Sequence, residues 1–291
     1  MTQSSHRRVI VITGASSGIG KATAEVFALM GWHVIGTGRT PERCDAAEEE
    51  IRAIASPEAR VDFLRGDFTE MSDVRRIAKE IAQLTDCIHV LVNNAGGVRD
   101  GYYRTSEGLE ATFATNHLAP FLLTRELLPQ LEYAAKDSPA GTVRIIAVAA
   151  DGHASCQAMN WDDLMLLEGF ATTEAYSQAK LASLLFTREL DRRLSPMGIV
   201  AQAVNPGCVG SNFASHGDEL IQDAMARSPC TPPEHPARTI MWLATSPEVG
   251  EQGGRYFRDL AEIQPAPQAR DDRAASRLWM ESERILETIG C

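Results

Sequence analysis

The chain has 291 residues, 44% hydrophobic and 23% charged, with 28 Lys and Arg against 39 Asp and Glu for a formal charge of -11 at pH 7. That size and composition support a large buried core, and the acidic balance argues against nucleic acid or an anionic membrane as main partner, since both need a basic footprint. No stretch approaches the roughly 18 continuous apolar residues of a membrane span, and six scattered cysteines (Cys44, Cys87, Cys156, Cys208, Cys230, Cys291) without a CxxC pair predict reduced thiols, no metal and a cytoplasmic protein.

MTQSSHRR leads directly into Val9–Thr13, a short β-branched run that reads as a buried strand, with no export segment expected. The turn Thr13-Gly14-Ala15-Ser16-Ser17-Gly18-Ile19-Gly20 follows, then helical Lys21–Met30. Its glycines let the backbone turn tightly and approach a pyrophosphate, whose charge would face the free N–H groups of the helix start. The plain alternative is a tight strand-to-helix turn.

His33–Thr37 is the second strand, and the residues at its end, Gly36-Thr37-Gly38-Arg39-Thr40, bear on nucleotide choice. An NAD site wants a carboxylate here for the ribose hydroxyls. This chain has none, and Arg39 suits a ribose 2′-phosphate, with Ser17 and Lys21 as possible helpers. NADP(H) is therefore expected over NAD(H); the competing reading of Arg39 is a solvated surface arginine.

Ala46–Ala55 reads as helix and Val61–Leu64 as strand, followed by Asp67 and Phe68 at the expected cofactor edge. A carboxylate at Asp67 suits an adenine amine, or equally a helix cap. Val74–Leu84 is an amphipathic helix and His89–Val92 a further strand, ending in Asn93-Asn94-Ala95-Gly96, where small residues permit backbone contact with a cofactor. Arg99, Asp100, Tyr102 and Tyr103 then line one rim of the expected substrate mouth. Glu107–Leu131 holds one or two helices bent near Pro120, and Val143–Val148 is a strand running into Ala149-Ala150-Asp151.

Tyr176–Leu194 is a strong amphipathic helix that begins Tyr176-Ser177-Gln178-Ala179-Lys180. Positions i and i+4 share a helix face. A phenol titrates near 10 when free, roughly, and a neighbouring ammonium favours the phenolate, which suits proton exchange with an alkoxide. On most helices such a pair is two surface residues; the glycine turn upstream gives it meaning. Ile199–Val204 is a strand, and 205–236, rich in Gly, Ser, Pro and His with a helical piece at Glu219–Met225, reads as a flap over a site. The segment Trp161–Leu167 and flap residues Phe213, His216, Leu220 and Met225 are expected to face the same mouth and favour a large apolar substrate. His235–Leu243 is helical, Gly254–Phe257 an edge strand, and Ala274–Ile289 a helix that closes the fold or docks on a partner subunit. Strands and helices alternating at this cadence predict one Rossmann-like α/β domain over 1–291, a doubly wound parallel sheet of about seven strands.

TGASSGIG at 13–20, Asp67, NNAG at 93–96, Asn116 in ATNHLAP, YSQAK at 176–180 and NPGCVGS at 205–211 together resemble the short-chain dehydrogenase/reductase family. Later segments (HLAPFLLT, KLASLLFTREL, RRLSP, GGRYFRDLAE) look like its retinol-dehydrogenase-like and WW-domain-oxidoreductase-like branch. The resemblance implies hydride transfer between NADP(H) and a carbonyl or secondary alcohol. It assigns Tyr176 as acid–base and Lys180 as the group that tunes it and binds ribose. Asn116 would support a water relay to that lysine, and Pro206, Gly207, Val209 and Ser211 would pack over the nicotinamide. Read without the family, Asn116 equally satisfies a bent backbone beside Pro120.

One departure stands out. The family normally ends its fifth strand with two serines, the second polarising the substrate carbonyl; here Ala149 and Ala150 occupy those places, with Gly152 and His153 retained. Losing one preorganised donor costs about 2.7–4 kcal/mol. A substitute could come from Asp151, Ser155 or the flap, the substrate could carry its own polarising group, the alanine could be introduced to trap a complex, or the reaction is no longer carbonyl reduction. The rival functions are accordingly a nicotinamide-binding isomerase, cyclase or dehydratase, and a nucleotide-binding regulatory protein. Asp151 and His153 are expected to be structural, and a homo-oligomer is open.

Overall fold

The computed structural model describes residues 7–211, Phe213 and residues 217–291, apart from the side chains of Leu220 and Ala224. The start of the chain before Arg7, and the expected contributions of His216 and the Leu220 side chain to the mouth, lie outside the described residues.

β-Branched and aliphatic runs form strands β1 (Val9–Ile12), β2 (His33–Gly38), β3 (Arg60–Arg65), β4 (Val90–Asn93), β5 (Val143–Val148), β6 (Ile199–Val204), β7 (Arg255–Arg258) and β8 (Ala261–Ile263). They make one sheet in the order β3-β2-β1-β4-β5-β6-β7-β8. The pairings from β3 through β7 are parallel and β8 returns antiparallel on β7. The count is therefore eight rather than about seven, and the expected edge strand near Gly254–Phe257 is internal. The true edge, Ala261-Glu262-Ile263, is three residues long and largely exposed, too short to leave an alternating pattern.

Side-chain alternation divides the core between the two sheet faces. Ile10, Ile12, Val34, Val92, Val204 and Phe257 pack on one side with residues of α1 (Gly18–Leu29), α2 (Pro41–Ile54) and α9 (Glu234–Thr245). Val9, Val11, Leu91, Ile145, Ala201 and Ala203 pack on the other with α3 (Met71–Leu84), α5 (Ala119–Glu126), α7 (Thr172–Leu194) and α10 (Asp272–Thr288). The expected helical stretch 107–131 resolves into α4 (Ala111–Phe113), a wide π turn at Ala114–Leu118, α5, and the start of α6 (Leu128–Lys136). The bend precedes Pro120, which sits in the first turn of α5 where its missing N–H costs little.

Helix α10 closes the fold. Its Trp279 ring lies 4.8 Å from that of Phe121 and 5.9 Å from that of Phe186, and the Arg193 guanidinium stands 4.2 Å over it. Ser282 Oγ lies 2.7 Å from His117 Nε2 across the same contact. Helix α8 (Glu219–Arg227) lies in the 205–236 segment, capped by Asp218, whose carboxylate accepts from the Ile221 N–H at 3.0 Å. No described helix is long and apolar enough to cross a membrane.

Strand order reverses between β1 and its neighbours β2 and β4, so the crossovers leave on opposite faces and a crevice opens beyond the strand ends. That crevice holds the site.

Candidate active site

The turn after β1 is built for close backbone approach. Gly14 and Gly18 hold φ of +67° and +54°, a region that side chains disfavour, and any side chain at Gly20 would run into the Gly14 carbonyl. Thr13 ties the turn to β4: its Oγ1 accepts from the N–H groups of Asn94 and Ala95, both at 2.9 Å. The Asn94 amide donates to the carbonyls of Thr13 at 2.7 Å and Gly14 at 3.2 Å. Ser17 precedes α1 without capping it through its side chain, and Ser17, Gly18 and Ile19 border the cavity.

A cavity of about 330 Å³ runs from this turn along the strand ends. Of the residues singled out from sequence, Gly14, Ser16, Ser17, Gly18, Ile19, Arg39, Asp67, Phe68, Ala95, Gly96, Tyr176, Lys180, Pro206, Gly207, Val209 and Ser211 line it. Three do not. Gly20 is buried behind Gly14, and Asn93 turns into the core, its amide donating to Thr124 Oγ1 at 3.1 Å. Asn116 sits in the π turn beneath the floor. Its amide donates to the carbonyls of Gly97 and Thr112 at 2.8 Å each, and its Oδ1 accepts from the Gly97 N–H at 3.1 Å. Its own backbone carbonyl accepts from Ser183 Oγ at 3.2 Å. Asn116 thus fastens the loop after β4 to the helix layer, and a side chain at Gly96 would collide with it and approach Lys180 Nζ.

Tyr176 and Lys180 reach the cavity from one face of α7. The ammonium lies 5.6 Å from the phenol ring centre and donates to the Val148 carbonyl at 3.1 Å. Burial lowers the lysine from its ordinary value to about 8. Burial also pushes the Tyr176 phenol well up, opposite to the lowering expected from the neighbouring lysine. The Phe213 ring meets Tyr176 edge-on with centres 5.3 Å apart.

Ala149 and Ala150 both line the wall where the family's serines would stand. Asp151 supplies no substitute donor: its Oδ1 accepts from the Asn205 amide at 2.6 Å and its Oδ2 faces Arg258 at 3.3 Å. Ser155 is exposed and does not line the cavity. His153 is structural as expected. Its Nε2 accepts from the Ala266 N–H at 3.1 Å, which leaves Nδ1 as the donor to the Ala150 carbonyl at 2.7 Å.

Other expectations need correction. Lys21 is engaged by Glu25 and Glu50 rather than free for a phosphate. Asp67 Oδ1 accepts from the Thr69 N–H at 2.9 Å and its hydroxyl at 2.8 Å, turning the loop, while the residue still borders the cavity. The Trp161 segment is not at the mouth: Arg277 of α10 stands 4.4 Å over the Trp161 ring, which packs against the core. Phe213 and Met225 do line the cavity. The six cysteines are not all free thiols: Cys208 and Cys230 form a disulfide, because a parallel bridge between Val209 and Thr231 sets their segments side by side. Sequence reading missed Arg43 as a lining residue and assigned Arg99 only to the substrate rim. Arg43 stands four residues beyond Arg39, in the first turn of α2; nothing local marked Arg99.

A family model described as short chain dehydrogenase matches residues 8–159. Retinol dehydrogenase 13 of Homo sapiens is 34% identical, the match covering 96% of this chain and 84% of that protein. The WW domain-containing oxidoreductase of Danio rerio is 35% identical, with 96% and 68% covered. A solved structure of a Mycobacterium Paratuberculosis protein is similar with a TM-score of 0.74 at 31% identity, covering 96% of this chain and 93% of that one.

Proposed function

The chain belongs to the short-chain dehydrogenase family and is an oxidoreductase using a nicotinamide cofactor and a small-molecule substrate; from that premise we propose that it is NADP(H)-dependent and acts on a bulky, mainly apolar carbonyl compound or secondary alcohol. The observation that carries this reading is the Tyr176–Lys180 pair opening into the same cavity as the glycine turn and Arg39.

The residues present fit a dinucleotide. The turn admits no side chain at Gly20, and the exposed Arg39 stands at the end of β2 with no carboxylate paired to it among the described residues. Ser16, Ser17 and the first N–H groups of α1 would hold the pyrophosphate, Asp67 and Phe68 the adenine, and Lys180 the ribose beside the ring. Bound there, the nicotinamide supplies or accepts a hydride.

Tyr176 carries the proton. Its hydroxyl, protonated at neutral pH as any phenol is, is set to give that proton to a carbonyl oxygen in reduction and to receive it back in oxidation. The Lys180 ammonium stabilises the phenolate left behind, and the Val148 carbonyl fixes its position. Asn116 acts by holding Gly97 and Gly96 beneath that lysine. In this reading the described part of 205–236 serves as the flap, with Phe213 and Met225 supplying apolar contact and a bridge pairing Val209 with Thr231. Ala149 and Ala150 extend the apolar wall, at a cost of roughly 10²–10³ in rate for a substrate that relies on a second donor. Substrates whose carbonyl is already activated are favoured.

Screening apolar aldehydes, ketones and secondary alcohols while following nicotinamide absorbance tests the proposal. Stoichiometric oxidation of NADPH or reduction of NADP⁺ is expected. Turnover without net change in the nicotinamide would instead support the isomerase, cyclase or dehydratase reading that the two alanines motivate, and tight nucleotide binding with no turnover would support a regulatory role.

A further inference from the structure

The tertiary structure brings two guanidinium groups to one end of the cavity. Arg39 leaves the end of β2, and Arg99 comes from the loop after β4; besides lining the main cavity, both border an adjoining depression with Asp67 and Thr69. Tyr176 and Lys180 do not border that depression, so Arg99 belongs with the groups at the nucleotide end rather than with the acid–base pair.

Neither arginine makes an ion pair or hydrogen bond among the described residues. Arg99 is half-buried. Burial and, next, the charge of Arg39 hold its guanidinium below the ordinary arginine value. Asp67, Glu70 and Asp100 border the same depression and Glu110 lies close to Arg99, but none of them is ion-paired with either arginine. Glu110 spends both carboxylate oxygens on the N–H groups of Thr112 and Phe113, at 2.7 Å each. Asp67 spends one oxygen on Thr69. Two guanidinium groups that border one cavity without ion-pair partners favour an anion between them, and planar guanidinium groups match a phosphate with paired hydrogen bonds.

We infer that Arg99 is a second specificity-determining residue for the nucleotide, sharing the ribose 2′-phosphate of NADP(H) with Arg39. The inference rests on the NADP(H) reading above and adds a residue from a different strand and loop. The loop after β4 thereby gains a role in recognition. Because Asn116 pins Gly97, nucleotide binding by Arg99 is tied mechanically to the floor under Lys180.

The test is direct binding, independent of turnover. The full chain and its Arg39→Ala, Arg99→Ala and Arg99→Lys variants are titrated with NADPH, NADH, 2′,5′-ADP and 5′-AMP at low and high salt. Arg99→Ala should weaken NADPH and 2′,5′-ADP by roughly ten- to a hundredfold, the scale of a charge-assisted contact, with NADH and 5′-AMP changed less than about twofold. Arg99→Lys should recover part of the loss, and the salt sensitivity of NADPH binding should fall in Arg99→Ala. If wild type prefers NADPH but Arg99→Ala weakens all four ligands alike, or none, the inference is overturned while the NADP(H) reading stands. If wild type binds NADPH and NADH equally, that reading falls and takes the inference with it. Unchanged NADH affinity serves as the folding control, and should Arg99→Ala not fold, Arg99→Gln is read by the same criteria.

Discussion

Lys180 stands one helical turn beyond Tyr176, its ammonium 5.6 Å from the phenol ring centre and anchored 3.1 Å from the Val148 carbonyl. The anchor matters because a lysine side chain has four rotatable bonds; a backbone acceptor at the strand end holds the charge where a phenolate would form. Burial opposes both ionised groups, raising the phenol and lowering the ammonium.

Removing the Tyr176 hydroxyl isolates its proton. Tyr176→Phe keeps the ring and its edge contact with Phe213, so nucleotide affinity and the unfolding midpoint should stay near wild type while kcat falls about 10²–10⁴-fold. Steady-state kinetics beside nucleotide titration checks this, and retained turnover would remove the acid–base assignment.

The lysine predicts a pH dependence. Its folded value of about 8 means that the ammonium is present below that pH and lost above it. Carbonyl reduction should therefore decline as pH rises through about 8, well below the ordinary lysine range. A pH profile of kcat/KM for Lys180→Arg, whose guanidinium stays charged, should lack this limb even if its overall rate is lower; an unchanged limb would assign it to another group.

The alanine wall offers a gain-of-function test. Ala150 is extended, with φ of -166° and ψ of 162°, a conformation open to any residue. Ala150→Ser should fold normally and raise kcat for unactivated ketones by about tenfold or more, part of what one preorganised donor is worth. Substrates with activated carbonyls should gain less. A uniform loss across both classes would show that the wall selects shape rather than lacking a donor.

His117 predicts acid sensitivity of the docked C-terminal helix. Complete burial among aromatic rings lowers its titration from 6.5 to about 3. Between these values the unfolded chain takes up a proton that the folded chain refuses, so stability is lost as pH falls from 6.5 toward 3, on the order of 5 kcal/mol in full. His117→Gln, able to keep a hydrogen bond to Ser282, should show a shallower fall of the thermal midpoint over that window. Parallel melting curves at several pH values decide it; identical slopes would refute the assignment.

Local spacing made some of this molecule readable. A four-residue step on a helix fixes a shared face, so Tyr176 and Lys180 were bound to meet, and β-branched runs separated by helices specified the parallel sheet. The glycine turn was equally plain, since only residues without side chains fit where Gly20 lies against the Gly14 carbonyl. These features depend on bond geometry within a few residues.

What tertiary structure decided lies between segments far apart in the chain. Trp161 went to Arg277 rather than to the substrate mouth, Lys21 was taken by Glu50, Asp151 found Asn205 and Arg258, and Cys208 met Cys230 across the flap. Arg99 came beside Arg39 only because β4 and β2 lie on either side of β1. Residue type and neighbours fix what a side chain is able to do, but a charge or ring interacts over a few ångströms of space, and the sheet order determines which distant residue occupies that space.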